Sequence, residues 1–258
     1  MNCLSNLPIE YQTDFIETDF KEMMVRICLE RYANIERVVF TSVSFICQKC
    51  GYSDDRHSNS FSSYVRRTLQ DLINNHEIVQ VYGNDIKKSS NSMIGFALQD
   101  SIRFDITGSF CKLTYSAFDT LMSIKCSISK PTLLKVYTYI RGHIIENEQQ
   151  TYGFCGSIDT AVRSLGLNRK TVDACIDAFV ENGLFVKHST GSCYVKGKPK
   201  NVPNIYVLPD DNAEANIIAL IDELKTKYNV DNFAPILSVG AKTSSISEKR
   251  TVTTNESK

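Results

Sequence analysis

The stretch 155–208, CGSIDTAVRSLGLNRKTVDACIDAFVENGLFVKHSTGSCYVKGKPKNVPNIYVL, restricts the fold more than any other part of the chain. Ile158, Ala161, Val162 and Leu165 recur at helical spacing behind Ser157, a good helix-capping side chain. Gly166 breaks that pattern where a tight turn needs a positive φ. Asn168 can cap a second helix, whose Val172, Ile176 and Phe179 share one face, and Asn182-Gly183 is the signal that stops it. Two β-prone runs, 184–187 and 204–208, then flank a loop rich in Gly, Ser and Lys. The predicted layout is helix, turn, helix, hairpin.

The same phrase occurs earlier in the chain. Ser42, Val43, Ile46, Cys50 and Gly51 match Ser157, Ile158, Ala161, Leu165 and Gly166 at an offset of 115. Val65, Leu69, Leu72 and His76 match Val172, Ile176, Phe179 and Gly183 at an offset of 107. The difference between the offsets predicts a longer helix–helix turn in the first copy. Strand-like runs at 78–82 and 93–98, joined by the polar loop GNDIKKSSNS, complete it. Two copies of one supersecondary unit predict a tandem repeat.

On Leu165-Gly166-Leu167, Arg169-Lys170-Thr171-Val172 and Gly183-Leu184, the later copy resembles the winged-helix DNA-binding superfamily, particularly regulators of the GntR type. The resemblance implies a mainly α fold with small β wings, an α+β class, here as two tandem winged-helix domains plus a C-terminal helix. The expected boundaries are 1–100 for the first winged-helix-like domain, 101–130 for a connector and 131–209 for the second domain. A C-terminal helix region, 210–238, and a disordered tail, 239–258, would follow. Tandem winged helices occur in plasmid and phage replication initiators as well as in transcription regulators.

The remaining segments fit that plan. Residues 1–18 lack periodicity and read as an irregular arm. From Asp19, a plausible N-cap, Phe20, Met23, Met24, Ile27, Cys28 and Tyr32 mark one helical face. In the connector Ile102, Phe104 and Ile106 alternate like a strand, and 114–122 reads as a short helix. Pro131 can open a helix whose Leu133, Leu134, Val136, Tyr137, Tyr139 and Ile140 make it apolar nearly all round, as expected of a central element. Asn212 can cap a last helix over 213–228, whose narrow apolar seam is expected to pack within its own domain.

Net charge is zero, but the charges are unevenly spread. Residues 1–100 carry 10 Lys and Arg against 13 Asp and Glu, whereas residues 101–209 carry 13 against 8. No acid lies between Glu181 and Asp210, while Lys187, Lys196, Lys198 and Lys200 do. Positive potential is therefore expected on the second wing. No run of about 18 apolar residues suggests a membrane span. The opening MNCLSNLPIEYQTDF has no basic segment of a secretory signal, so a cytoplasmic protein is expected, nucleoid-associated when on DNA. The nine cysteines then read as reduced thiols. Cys47-Gln-Lys-Cys50 is half of a zinc site with no second half in sight, and Cys50 aligns with the core position Leu165. No metal or cofactor is assigned. The chain carries no P-loop, GxGxxG, HExxH or GxSxG signature, and it is read as a non-enzyme.

A recognition helix presents its N-terminal residues to base edges in the major groove. Asn168, Arg169, Lys170, Thr171 and Asp173 stand there. Arg suits guanine, Asn suits adenine and Asp can accept from cytosine. Lys196, Lys198 and Lys200 would hold phosphates without reading sequence. In the first copy Ser62, Ser63, Tyr64 and Arg66 occupy the corresponding places, and Arg66 is its candidate DNA contact. The expected function is sequence-specific binding of double-stranded DNA in transcription regulation, with a homodimer as a further candidate partner. The alternatives are a plasmid or phage replication initiator, or a winged-helix protein-interaction module.

Overall fold

The computed structural model describes residues 4–9, 19–52, 60–83, 86, 90–99, 109–144 and 153–235. Its elements, in chain order, are β1 (Leu4–Ile9), α1 (Phe20–Tyr32), β2 (Val38–Thr41), α2 (Val43–Lys49), α3 (Phe61–Asn74), β3 (Ile78–Tyr82), β4 (Ile94–Leu98), β5 (Ser109–Thr114), α4 (Tyr115–Ser123), α5 (Lys130–Gly142), α6 (Ile158–Leu165), α7 (Arg169–Glu181), β6 (Val186–His188), β7 (Ser192–Val195), β8 (Lys198–Asn201), β9 (Ile205–Val207) and α8 (Ala213–Tyr228). The fold is mixed α+β, with small antiparallel sheets.

Local chemistry explains most helix starts. Asp19 accepts the backbone N–H groups of Lys21 and Glu22, Ser42 that of Phe45, Ser157 that of Asp159 and Asn168 that of Thr171. Each satisfies donors that a helix start leaves unpaired. Pro131 sits in the first turn of α5, where its missing N–H costs nothing.

The two repeats agree bond for bond at their turns. Gly51 and Gly166 both have positive φ, +77° and +63°. Their N–H groups donate to Gln48 O and Arg163 O, and those of the next residues, Tyr52 and Leu167, to Cys47 O and Val162 O. At the ends of α3 and α7, His76 and Gly183 donate to Ile73 O and Val180 O, while Glu77 and Leu184 donate to Leu72 O and Phe179 O. The sheets match as well. The first has the order β2-β4-β3, with Val79 opposite Ala97 and Gln80 opposite Phe96. In the second, β6 pairs with β9, Val186 opposite Val207 and Lys187 opposite Tyr206, and Phe154 bridges Tyr206 from the other side.

One buried apolar cluster runs through both repeats, from Met24 in α1 through Leu133 and Ile140 in α5 to Phe179 in α7. Helix α5 packs against α1, α4, α6, α7 and β5, which is why it is apolar nearly all round. A smaller cluster joins Cys193, Val202, Ile205 and Val207 to Leu220 and Leu224 of α8. The seam of α8 is thus used within the chain, as its spacing predicts.

Three features depart from the sequence reading. The stretch read as an arm contains β1, which pairs antiparallel with β5 from Leu4↔Thr114 to Ile9↔Ser109. Its partner lies some hundred residues away, so no local pattern announces it, and Pro8 is tolerated because β1 pairs on one side only. The loop between β6 and β9 is itself a hairpin, β7 and β8, turning at Lys196 and Gly197 with φ of +51° and +74°. Two positive φ values in a two-residue loop match the twist of the flanking strands. Asn212 makes no side-chain cap bond to α8; Asp210 accepts the Asn212 N–H instead. The strand expected around Ile102, Phe104 and Ile106, and the tail expected at 239–258, lie outside the described residues.

Candidate nucleic-acid interface

Among the second repeat's exposed cations, one group stands at the start of α7 and another on the β7–β8 hairpin. At α7, the Asn168 side-chain oxygen is engaged by Thr171 N–H at 2.8 Å, which leaves its amide NH2 to face outward. Arg169 is exposed, but its guanidinium meets Asp159 Oδ1 at 2.8 Å and Asp173 Oδ2 at 3.5 Å. Lys170 is exposed and makes no ion pair among the described residues. Lys187, behind them, meets Asp177 at 3.4 Å. The helix start is therefore less positive than its sequence suggests, because acids from α6 and α7 neutralise it. Such exposed pairs are worth roughly 0–1 kcal/mol, so a phosphate or a guanine edge can displace them.

The hairpin carries its charge outward. Lys196, Lys198 and Lys200 are all exposed. Lys200 also lies over the Tyr228 ring of α8, 5.1 Å from its centroid. The hairpin is braced from behind: Ser192 and Ala234 exchange both backbone hydrogen bonds, at 2.7 and 2.8 Å. That close approach needs Gly191, where a Cβ would stand 2.3 Å from the Ala234 carbonyl oxygen. Three lysines are thus presented on a held strand pair.

Arg66, the first repeat's candidate contact, is half-buried and donates to Ser90 Oγ at 2.6 Å, tying α3 to the segment before β4. The adjacent Arg67 points away from that tie and is exposed, its guanidinium 5.1 Å from the Tyr64 ring centroid. Lys21 reaches the same ring at 5.5 Å. Neither Arg67 nor Lys21 was singled out by the repeat pattern, since helical spacing separates inside from outside but does not say which outer residue meets a neighbouring element.

Cys47 and Cys50 are fully buried, and the Cys50 thiol donates to Met24 O at 3.7 Å. The Cys28 thiol beside it, together with burial, holds the Cys50 thiol well above its ordinary range. A thiol so placed stays protonated near neutral pH and packs as a small apolar side chain. Among the described residues, no group of three or more His, Cys, Asp or Glu is placed to hold a metal ion. Nor is any described helix long and apolar enough to cross a membrane.

No protein-family model matches the chain, and no curated protein or solved structure does so. Its functional reading rests on its own residues.

Proposed function

We propose that the chain is a sequence-specific double-stranded DNA-binding protein of tandem winged-helix architecture, acting without catalysis in transcription regulation. Initiation of plasmid or phage replication is the alternative use of the same binding. In this reading 20–98 and 130–207 are the two winged helices. Asn168, Arg169, Lys170, Thr171 and Asp173 face base edges, and Lys196, Lys198 and Lys200 hold the backbone. The observation that carries it is the braced β7–β8 hairpin, whose three exposed lysines stand in an acid-free stretch of the chain that follows the capped helix α7. Phosphate contacts of this kind fix register, and the helix start supplies discrimination.

Binding-site selection from random duplex DNA at two salt concentrations tests the reading. Wild type is expected to enrich one motif. The K196A/K198A/K200A variant should lower the slope of log affinity against log salt by about 2–3 units. Replacing Arg169 and Lys170 together with Ala should blunt the motif. Unchanged affinity, slope and motif in both variants would sink the proposal.

One observation favours a second reading, a protein-interaction module. The outer face of the β2-β4-β3 sheet exposes Phe40, Val79, Val81 and Tyr82. Phe40 and Tyr82 meet edge-on with centroids 6.1 Å apart, above Gly95, where a Cβ would come within 2.9 Å of both. A second copy of the chain on this face would make a homodimer, and F40S/Y82S would then shift the measured mass in solution to the monomer.

A further inference from the structure

Where the two repeats meet, α1, α3, α5 and the residue before the α7 cap line an open groove of about 550 Å³. Three cations line it: Lys21 from α1, Arg67 from α3 and Lys135 from α5. It continues into a second depression of about 470 Å³, which shares Lys21 and Arg67 and adds the hydroxyls of Ser60, Ser63 and Ser129. We propose that this seam groove is a phosphate-binding site, with Lys21, Arg67 and Lys135 as its cationic ligands.

Cations from three different helices converge on this groove. Arg26, Arg31, Arg37 and Arg169 each meet a carboxylate. Among the described residues Lys21, Arg67 and Lys135 meet none; each lies instead over an aromatic ring, Tyr64 for the first two and Phe20 for the third. Asp19, the one carboxylate among the described residues lining the groove, is already satisfied. Its Oδ1 accepts the N–H groups of Lys21 and Glu22, and its Oδ2 accepts the Tyr64 hydroxyl at 2.6 Å. Burial and this bond push the Tyr64 phenol upward, so it stays neutral and adds no negative charge. Among the described residues that line the groove, three cations stand against one engaged acid.

A phosphate fits this set by chemistry. Arg67 can offer two parallel N–H donors to two phosphate oxygens, the lysines act as point charges, and serine hydroxyls supply neutral donors. Lys135 is half-buried, and that burial lowers its pKa; an anion beside it would oppose the shift. Leu167, which lines the groove, directly precedes Asn168 at the start of α7, so a backbone phosphate of DNA seated on α7 is one source. A free phosphate compound is the other. The first source rests on the DNA-binding function proposed above, while the second does not.

The test uses the full chain and two probes, duplex DNA and pyrophosphate, with R67Q/K135Q as the removing variant and R67K/K135R as the conservative one. Thermal unfolding without ligand checks that the variants fold. If the phosphate belongs to DNA, R67Q/K135Q weakens duplex binding by about tenfold and lowers the salt slope by about 1–2 units, leaving the preferred motif intact, and R67K/K135R restores the slope but only part of the affinity. If it belongs to a free compound, pyrophosphate raises the melting temperature of wild type saturably and not that of R67Q/K135Q, with duplex binding unaltered. A wild type that ignores duplex DNA but responds to pyrophosphate would end the DNA reading and keep the groove. No change between wild type and R67Q/K135Q with either probe overturns the groove itself.

Discussion

At the end of α3 the first repeat places His76 at a φ of +59°, and at the end of α7 the second places Gly183 at +68°. The cap bonds around the two residues are the same, yet glycine, without a Cβ, suits the left-handed region and histidine does not. Further along the comparison, Cys50 fills the core where Leu165 does, both fully buried. Charges diverge in the same direction. Arg26 and Arg37 of the first repeat are bound to Glu77 and Glu30, whereas the wing lysines of the second point into solvent. The contrast teaches that backbone hydrogen bonding and core packing impose the shared shape, while side chains are free to differ. Arg26 and Arg37 are thus engaged in pairs within the first repeat, while the hairpin lysines of the second stay exposed.

The comparison breaks most readily in the core. Leu165→Ala should cost about 2–5 kcal/mol of unfolding free energy, because it empties a fully buried site. Cys50→Ala removes a single sulfur and should cost about 1 kcal/mol. Urea unfolding of the two variants gives the difference; equal losses would mean that the sulfur does more than fill space.

A change of sign is expected at the shared turn. Gly183→Ala forces a Cβ into the left-handed region and should destabilise by about 1 kcal/mol, although there is open space around it. His76→Gly relieves the same strain and should stabilise by a few tenths to about 1 kcal/mol, after the entropy that glycine adds to the unfolded chain. Melting temperatures that move the same way in both variants would contradict the equivalence of the two turns.

The smallest effect concerns alkaline pH. Burial pushes the Tyr52 phenol, just after the first repeat's helix–helix turn, up to about 12. The unfolded chain releases that proton near pH 10 and the folded chain only near 12, so in this window the folded state holds more protons. Its contribution is complete below pH 10 and is lost as pH rises through 12. Tyr52→Phe should flatten the decline of stability over that window, read by urea midpoints at successive pH values. The second repeat has Leu167 at the matching place and offers no such group.

Much of this arrangement was legible in the chain because its causes are local. Ser42, Ser157, Asn168 and Asp19 announce helix starts through side-chain chemistry, and Gly51, Gly166 and Gly183 announce turns through φ. What was not legible depends on distant partners. Strand β1 has no alternating pattern and is defined by β5. The pairing of Arg169 with Asp159 joins two helices. The choice between Arg66 and Arg67 as the outward residue is decided by Ser90, which no spacing points to. Lys135 came closest to a readable signal: it is the sole charged residue between Leu133 and Ile140 of an otherwise apolar helix face.

The bridge between Ser192 and Ala234 has a thermodynamic consequence for whatever the wing touches. A loose hairpin would have to give up its freedom at the moment of contact, and that ordering cost would be subtracted from affinity. Here a single bridge at Ala234, after α8, holds the hairpin in the folded chain, so under the proposed DNA binding its lysines would meet the ligand already arrayed. In that proposal, chain lying more than thirty residues beyond the lysines would set their binding strength without touching the ligand itself.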